Sequence, residues 1–139
     1  MDFVCPTEAD TERAGREIAR TLAPDATVHL VGDLGAGKTF LARVIAAELG
    51  ADPHEVASPS FAIVHEYPIP GRAPVIHIDG YRLSEHRREW LEIGIPEMLS
   101  GPGVKLIEWP KRAFEEFENG HVEVTIMVRE DGARVIGVT

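Results

Sequence analysis

The sequence predicts a three-layer α/β fold: a mostly parallel or mixed sheet with helices on both faces and a hairpin at the C-terminus. Two observations carry that expectation. Short, β-branched apolar runs of strand length, TVHLV, VIHID and VKLIE, alternate along the chain with segments of helical spacing. The chain then closes on HVEVTIMV, the dipeptide Asp131-Gly132 and ARVIGVT, two strand-like runs on either side of a tight-turn signal.

Taken in order, Thr7 and Asp10 stand at the spacing of a helix N-terminus, and Ala14, Ile18 and Leu22 draw an apolar stripe along the helix that follows. Pro24 ends it. Thr27 to Val31 reads as a strand, glycine-rich sequence follows, and KTFLARVIAAEL carries apolar residues all round until Gly50 stops it, the pattern of a buried helix. FAIVHEY, 61–67, is the next expected strand, and PIPGRAP, 68–74, with three prolines and a glycine, is an expected exposed turn. VIHID is a buried strand, Arg82 to Leu91 is helical up to Gly94 and Pro96, and VKLIE is a third apolar run ending in an acid. Val122, Val124, Ile126 and Val128 share one face of the first hairpin strand, and the hairpin is expected at one edge of the sheet.

Composition narrows the function. The 139 residues, 44% hydrophobic, suit one domain spanning 1–139 that buries about two-thirds of its unfolded surface. No stretch approaches the roughly 18 to 20 apolar residues needed to cross a bilayer, and the acidic opening MDFVCPTEAD is unlike a signal peptide, so a cytoplasmic location is expected. Cys5, the only cysteine, has no cationic neighbour to activate it and reads as a small buried hydrophobe. A net charge of −9, from 14 Lys+Arg against 23 Asp+Glu, repels nucleic acid on average, so any role near RNA is expected to run through a protein partner. The basic run YRLSEHRR is the local exception, ordinarily a solvated helix face.

The sharpest motif is GDLGAGKT, Gly32 to Thr39, which fits G-x-x-x-x-G-K-[ST] completely. Such a loop turns backbone N–H groups toward phosphate oxygens, the following helix adds its positive dipole end, Lys38 reaches the β and γ phosphates, and the Thr39 hydroxyl can hold Mg²⁺. Guanine recognition usually needs Asn-Lys-x-Asp, but the only asparagine is Asn119, followed by Gly120, so ATP is the expected nucleotide. The chain has no glutamine, which leaves the orienting of water to a carboxylate or to a partner. Two acids close apolar strands: Asp79 after VIHI and Glu108 after VKLI. One hydroxyl and two carboxylates suit an ion that keeps several of its waters. The structural alternatives are a helix cap for Asp79, an ion pair with Lys111 or Arg112 for Glu108, and a core position for Trp109. ASPSF, Ala57 to Phe61, is either a γ-phosphate-sensing loop or an ordinary strand entry. None of the six histidines forms H-E-x-x-H, so zinc is not expected, and no G-x-S-x-G elbow suggests a serine nucleophile.

In order along the chain, GDLGAGKT, ASPSF, HIDGYRL and LIEWPKR resemble the bacterial tRNA threonylcarbamoyladenosine biosynthesis ATPase family TsaE, formerly YjeE, over nearly the whole length. The resemblance implies a P-loop ATPase required for N6-threonylcarbamoyladenosine (t6A37) formation in tRNA, hydrolysing ATP to reset a partner complex of TsaB and TsaD. It implies Asp33, Leu34, Gly35, Ala36, Gly37, Lys38 and Thr39 as the nucleotide cradle, and Thr39 and Glu108 as Mg²⁺ positions. Asp79 matches the aspartate of the H-x-D motif, Trp109 the tryptophan of I-E-W, and Thr11 a threonine near the adenine. Lys38, Asp79 and Glu108 are then the catalytic candidates. Arg112 joins the nucleotide-binding set, while the source of an activating arginine stays open among Arg112, Arg82 and another chain. The family's usual T-S-P-T-F reads ASPSF here, and Phe40 stands where a second threonine often follows the P-loop. Competing readings are a small-molecule P-loop kinase, with 71–88 as its lid, and an adaptor that binds ATP without hydrolysing it.

Overall fold

The computed structural model describes residues 1–52, 54, 63–83 and 86–139. ASPSF lies outside the described residues, as do Ser84 and Glu85 of the basic run. Within the described residues, seven strands form one mixed sheet: β1 (Asp2–Cys5), β2 (Thr27–Val31), β3 (Val64–Ile69), β4 (Arg72–Asp79), β5 (Lys105–Glu108), β6 (Val122–Val128) and β7 (Arg134–Val138), in the order β1-β7-β6-β2-β5-β4-β3. The centre is parallel, β6 to β2 to β5 to β4, and both flanks are antiparallel.

Period-two alternation sends side chains to two cores. Val28, Leu30, Leu106 and Val124 pack under α1 (Glu8–Thr21) and α2 (Lys38–Glu48). Ile76, Ile78 and Ile107 pack on the other face with Trp90 of α3 (Arg87–Ile93), Ile95 and Leu99 of α4 (Ile95–Ser100), and Phe114 of a 3-10 turn, Arg112–Phe117. The expected α1 start is a full capping box, with Asp10 N–H donating to Thr7 Oγ1 at 3.2 Å and Thr7 N–H donating to Asp10 Oδ2 at 3.0 Å. Cys5 is buried, and burial is the main influence pushing its thiol pKa up, which keeps it protonated. Among the described residues, no helix is long and apolar enough to cross a membrane.

Several expectations shift, each for a physical reason. The C-terminal hairpin is not at the sheet edge: β6 pairs with β2, and β7 pairs with β1, a four-residue strand too short for alternation to reveal. PIPGRAP is mostly strand, with only Pro70 and Gly71 in the turn, because Pro68 lies on edge strand β3, where a missing N–H is tolerated. The segment from Arg82 to Leu91 divides into a 3-10 turn, Gly80–Arg82, and α3. Pro96 does not end a helix but sits in the first turn of α4, just after Gly94 has closed α3 at φ +88. Helix α2 is not buried all round: Leu41, Ala42, Ile45 and Ala46 face the core, while Arg43 and Ala47 are exposed. Val128 is exposed although it shares a face with buried Val124 and Ile126.

Candidate nucleotide site at the P-loop

Strand β2 delivers the chain at Val31 into the loop, and α2 begins at Lys38. Gly37 is the N-cap at φ +108, a left-handed conformation costly for any residue with a Cβ, and it brings no side chain to cap the helix. The first N–H groups of α2 thus have no side-chain acceptor at the cap, the standard preparation of a helix end for an anion.

Lys38 is buried. Its Nζ donates to the carbonyls of Gly32 at 2.6 Å and Asp33 at 2.8 Å, and lies 4.3 Å from the centroid of the Trp109 ring. Thr39 Oγ1 lies 2.9 Å from each carboxylate oxygen of Glu108, which is 69 residues distant in sequence. Strands β4 and β5 end side by side in parallel register, Asp79 opposite Glu108. The topology therefore gathers the loop and both acids at the carboxyl ends of the central strands, where ligands bind in open α/β sheets.

Behind Glu108 stands a residue the sequence reading passed over. His77 is buried on β4, and its Nε2 is 2.6 Å from Glu108 Oε2, while its Nδ1 is 3.3 Å from the Tyr67 hydroxyl. Nε2–H donates to the carboxylate, and the hydrogen between Nδ1 and the tyrosine oxygen belongs to one or the other according to the charge on the ring. The signal in the sequence was the i, i+2 spacing of His77 and Asp79, which puts both on one face of a strand. The largest single influence on the Glu108 carboxyl is burial, which disfavours its charge. Hydrogen bonds from His77 and Thr39, with the charges of His77 and Lys38, outweigh it and hold the pKa below the ordinary carboxylate value.

Asp79 takes the cap role as well as a place at the site: Oδ1 accepts from Tyr81 N–H at 3.0 Å, capping the turn Gly80–Arg82. Trp109 is half-buried rather than core. Its backbone has φ 53, uncommon for a non-glycine, and its ring tilts against Tyr81 with centroids 5.2 Å apart. The ends of β4 and β5 approach so closely that a Cβ on Gly80 would lie 2.1 Å from the Trp109 carbonyl oxygen. Glycine at 80 is what lets Asp79 and Glu108 finish together.

Leu34, Gly35, Gly37, Lys38, Thr39, Asp79, Glu108 and Trp109 line a cleft of about 650 Å³ together with Phe40 and Tyr81. Asp33 and Arg112 line an adjoining groove of about 690 Å³ that shares the Tyr81 and Trp109 wall. Ala36, within the loop, is buried, and its carbonyl accepts from Arg134 Nε at 2.7 Å. Arg134, on β7, is a second contributor that no motif announced. Thr11 is buried on α1, its hydroxyl 3.4 Å from the Thr7 carbonyl oxygen, and is not among the residues lining either cavity.

The family model for the threonylcarbamoyl adenosine biosynthesis protein TsaE matches residues 5–136. This chain belongs to the TsaE family. Its relatives include the tRNA threonylcarbamoyladenosine biosynthesis protein TsaE of Treponema pallidum (strain Nichols), 36% identical over 138 residues, covering 99% of each chain. The protein of the same name from Bacillus subtilis (strain 168) is 32% identical over 130 residues, covering 94% of this chain and 79% of the relative. The crystal structure of Bacillus subtilis YdiB superposes with a TM-score of 0.74 at 28% identity, covering 98% of this chain and 82% of that one. The glycine-rich loop Gly32 to Thr39, the two strand-end acids and the tryptophan occupy one end of the sheet.

Proposed function

We propose that residues 1–139 act as one Mg²⁺-dependent P-loop ATPase domain in the t6A modification of tRNA, where ATP hydrolysis resets a TsaB–TsaD partner complex. The observation that carries the reading is the meeting of Lys38, Thr39 and Glu108 at the helix end: a cation, a hydroxyl and an ionised carboxylate from two separate elements. The donor set fits the ion, because Mg²⁺ takes oxygen ligands and commonly only one or two from protein. When bound, Mg²⁺ would supply positive charge against the β and γ phosphate oxygens. Thr39 and Glu108 would hold it, and Lys38 would exchange its loop carbonyls for phosphate oxygens. His77 keeps Glu108 oriented and ionised. Asp79 orders the turn that carries Tyr81.

Against the kinase reading, the described residues of 71–88 are largely built into the fold: Arg72–Asp79 is a strand inside the sheet and Gly80–Arg82 a turn at its end. The names of the relatives favour tRNA threonylcarbamoyladenosine biosynthesis as the setting. The net charge of −9 favours contact with tRNA through partner proteins. The test is steady-state phosphate release by the chain alone, with tRNA alone, and with the TsaB and TsaD proteins. Slow release that rises only with the partners is expected, because the chain has no glutamine to orient water. Full activity in isolation, or activation by tRNA alone, would contradict the partner-switch mechanism.

Trp109 supplies an optical readout. In a Trp90→Phe protein, which removes the buried indole packed edge-on against Phe114, Trp109 is the sole tryptophan. Its ring covers Lys38, so ATP with Mg²⁺ is expected to shift its emission as the lysine moves to phosphate. An unchanged spectrum under saturating nucleotide would separate Trp109 from the site.

A further inference from the structure

We propose that His29, Glu118 and His121 form a second metal site, for Zn²⁺ or a similar borderline divalent ion, on the face of the sheet opposite the P-loop. His29 alternates on β2 with Val28 and Leu30, which face α1 and α2, so its ring points to the other side. There it meets Glu118, at the end of the 3-10 turn Arg112–Phe117, and His121, just before β6. His29 Nε2 is 2.7 Å from Glu118 Oε1, His121 Nδ1 is 3.2 Å from Glu118 Oε2, and the three ligand atoms all lie within 4.8 Å of one another. The two imidazoles stack at 3.8 Å, 8° from parallel.

In a fully aligned Glu–His network both carboxylate oxygens would accept hydrogen bonds; here His121 meets Oε2 in distance but not in direction. Glu118 has a side chain only 1% exposed, yet its Oε2 has no hydrogen-bond partner, although His121 Nδ1 is within reach in distance. A buried carboxylate oxygen without an aligned donor is costly, the more so when charged. A cation between the two atoms removes the cost. Ligands about 2.0–2.1 Å from a tetrahedral Zn²⁺ are about 3.3 Å from one another, so the Glu–His spacings are close to those of a bound ion, while the stacked imidazoles must rotate out of parallel to aim both ring nitrogens at it. Imidazole nitrogen and carboxylate oxygen suit zinc better than Mg²⁺, which distinguishes this site chemically from the P-loop. His121 is 25% exposed and gives an entry path, and Glu115 Oε1, 3.8 Å from His121 Nδ1, or water can complete the shell. The absence of H-E-x-x-H does not reach these residues, because positions 29, 118 and 121 meet only in the fold. Bound metal would tie the segment that follows Trp109 to the strand that delivers the P-loop.

The test begins with chelator-stripped protein titrated with Zn²⁺ by calorimetry, and with Co²⁺ by visible absorption, both in excess Mg²⁺. One equivalent is expected, with the intense visible bands of tetrahedral Co²⁺ and a higher Tm in Zn²⁺. His121→Asn and Glu118→Gln should each weaken Zn²⁺ binding at least about tenfold. Glu108→Gln and His54→Asn, which leave the cluster intact, should bind as the parent does. His121 is partly exposed, so His121→Asn carries the test if Glu118→Gln fails to fold. No stoichiometric binding, binding unchanged in His121→Asn, or binding lost in Glu108→Gln would overturn the site. Each of these outcomes is independent of ATP hydrolysis.

Discussion

Replacing Lys38 by alanine is expected to weaken ATP binding by about 100-fold, close to 2.7 kcal/mol, the loss of one or two charge-assisted hydrogen bonds to phosphate. The size follows from where the ammonium sits. Lys38 is buried at the start of α2, gripping the Gly32 and Asp33 carbonyls beneath Trp109, so it is already held within the cradle. The same bonds predict a side effect. Alanine leaves the two carbonyls without their lysine donor, but Asp33 is exposed and Gly32 half-buried, so water can replace it and Tm should fall only modestly. Calorimetric titration with ATP, beside far-UV circular dichroism, checks both parts. A folded Lys38→Ala protein with parental affinity would remove the P-loop from the nucleotide site.

Glu108→Gln is expected to lower Mg²⁺-dependent turnover by about 100-fold or more while leaving nucleotide binding without metal near the parental value. The amide keeps the shape and an accepting oxygen for Thr39 or His77, so what disappears is the charge. Equal losses with and without metal would make Glu108 a structural residue. A pH series separates the roles further. Because the folded carboxyl titrates below its ordinary value of 4.5, it contributes stability that is fully present above about pH 4.5 and is lost as pH falls through the lower folded value. The Tm advantage of the parent over Glu108→Gln should therefore hold from about pH 5 to pH 7 and shrink toward pH 3. An advantage that grows on acidification would reverse the assignment of His77, Thr39 and Lys38 as stabilisers of the charge.

Much of this was legible in one dimension because the signals are local. A capping box joins Thr7 to Asp10, the strand of Thr27 to Val31 is written in its own β-branched residues, and the GDLGAGKT spacing encodes the loop through its glycines. The acids at 79 and 108 were visible because each closes an apolar run. Short segments whose state depends on neighbours were not visible: β1 exists because β7 offers it an edge, and Pro68 lies in a strand because that strand is outermost. The partners of the acids were equally hidden. His77 against Glu108, Arg134 against the Ala36 carbonyl, and His29 with Glu118 and His121 are joined across 31, 98 and up to 92 positions. Sequence alone singled out the candidate loop and the two strand-end acids, since backbone periodicity and turn geometry act within a few residues. Tertiary structure decided which of them touch, because a sheet that interleaves β6, β2, β5 and β4 sets those distances through long-range pairing that no local pattern records.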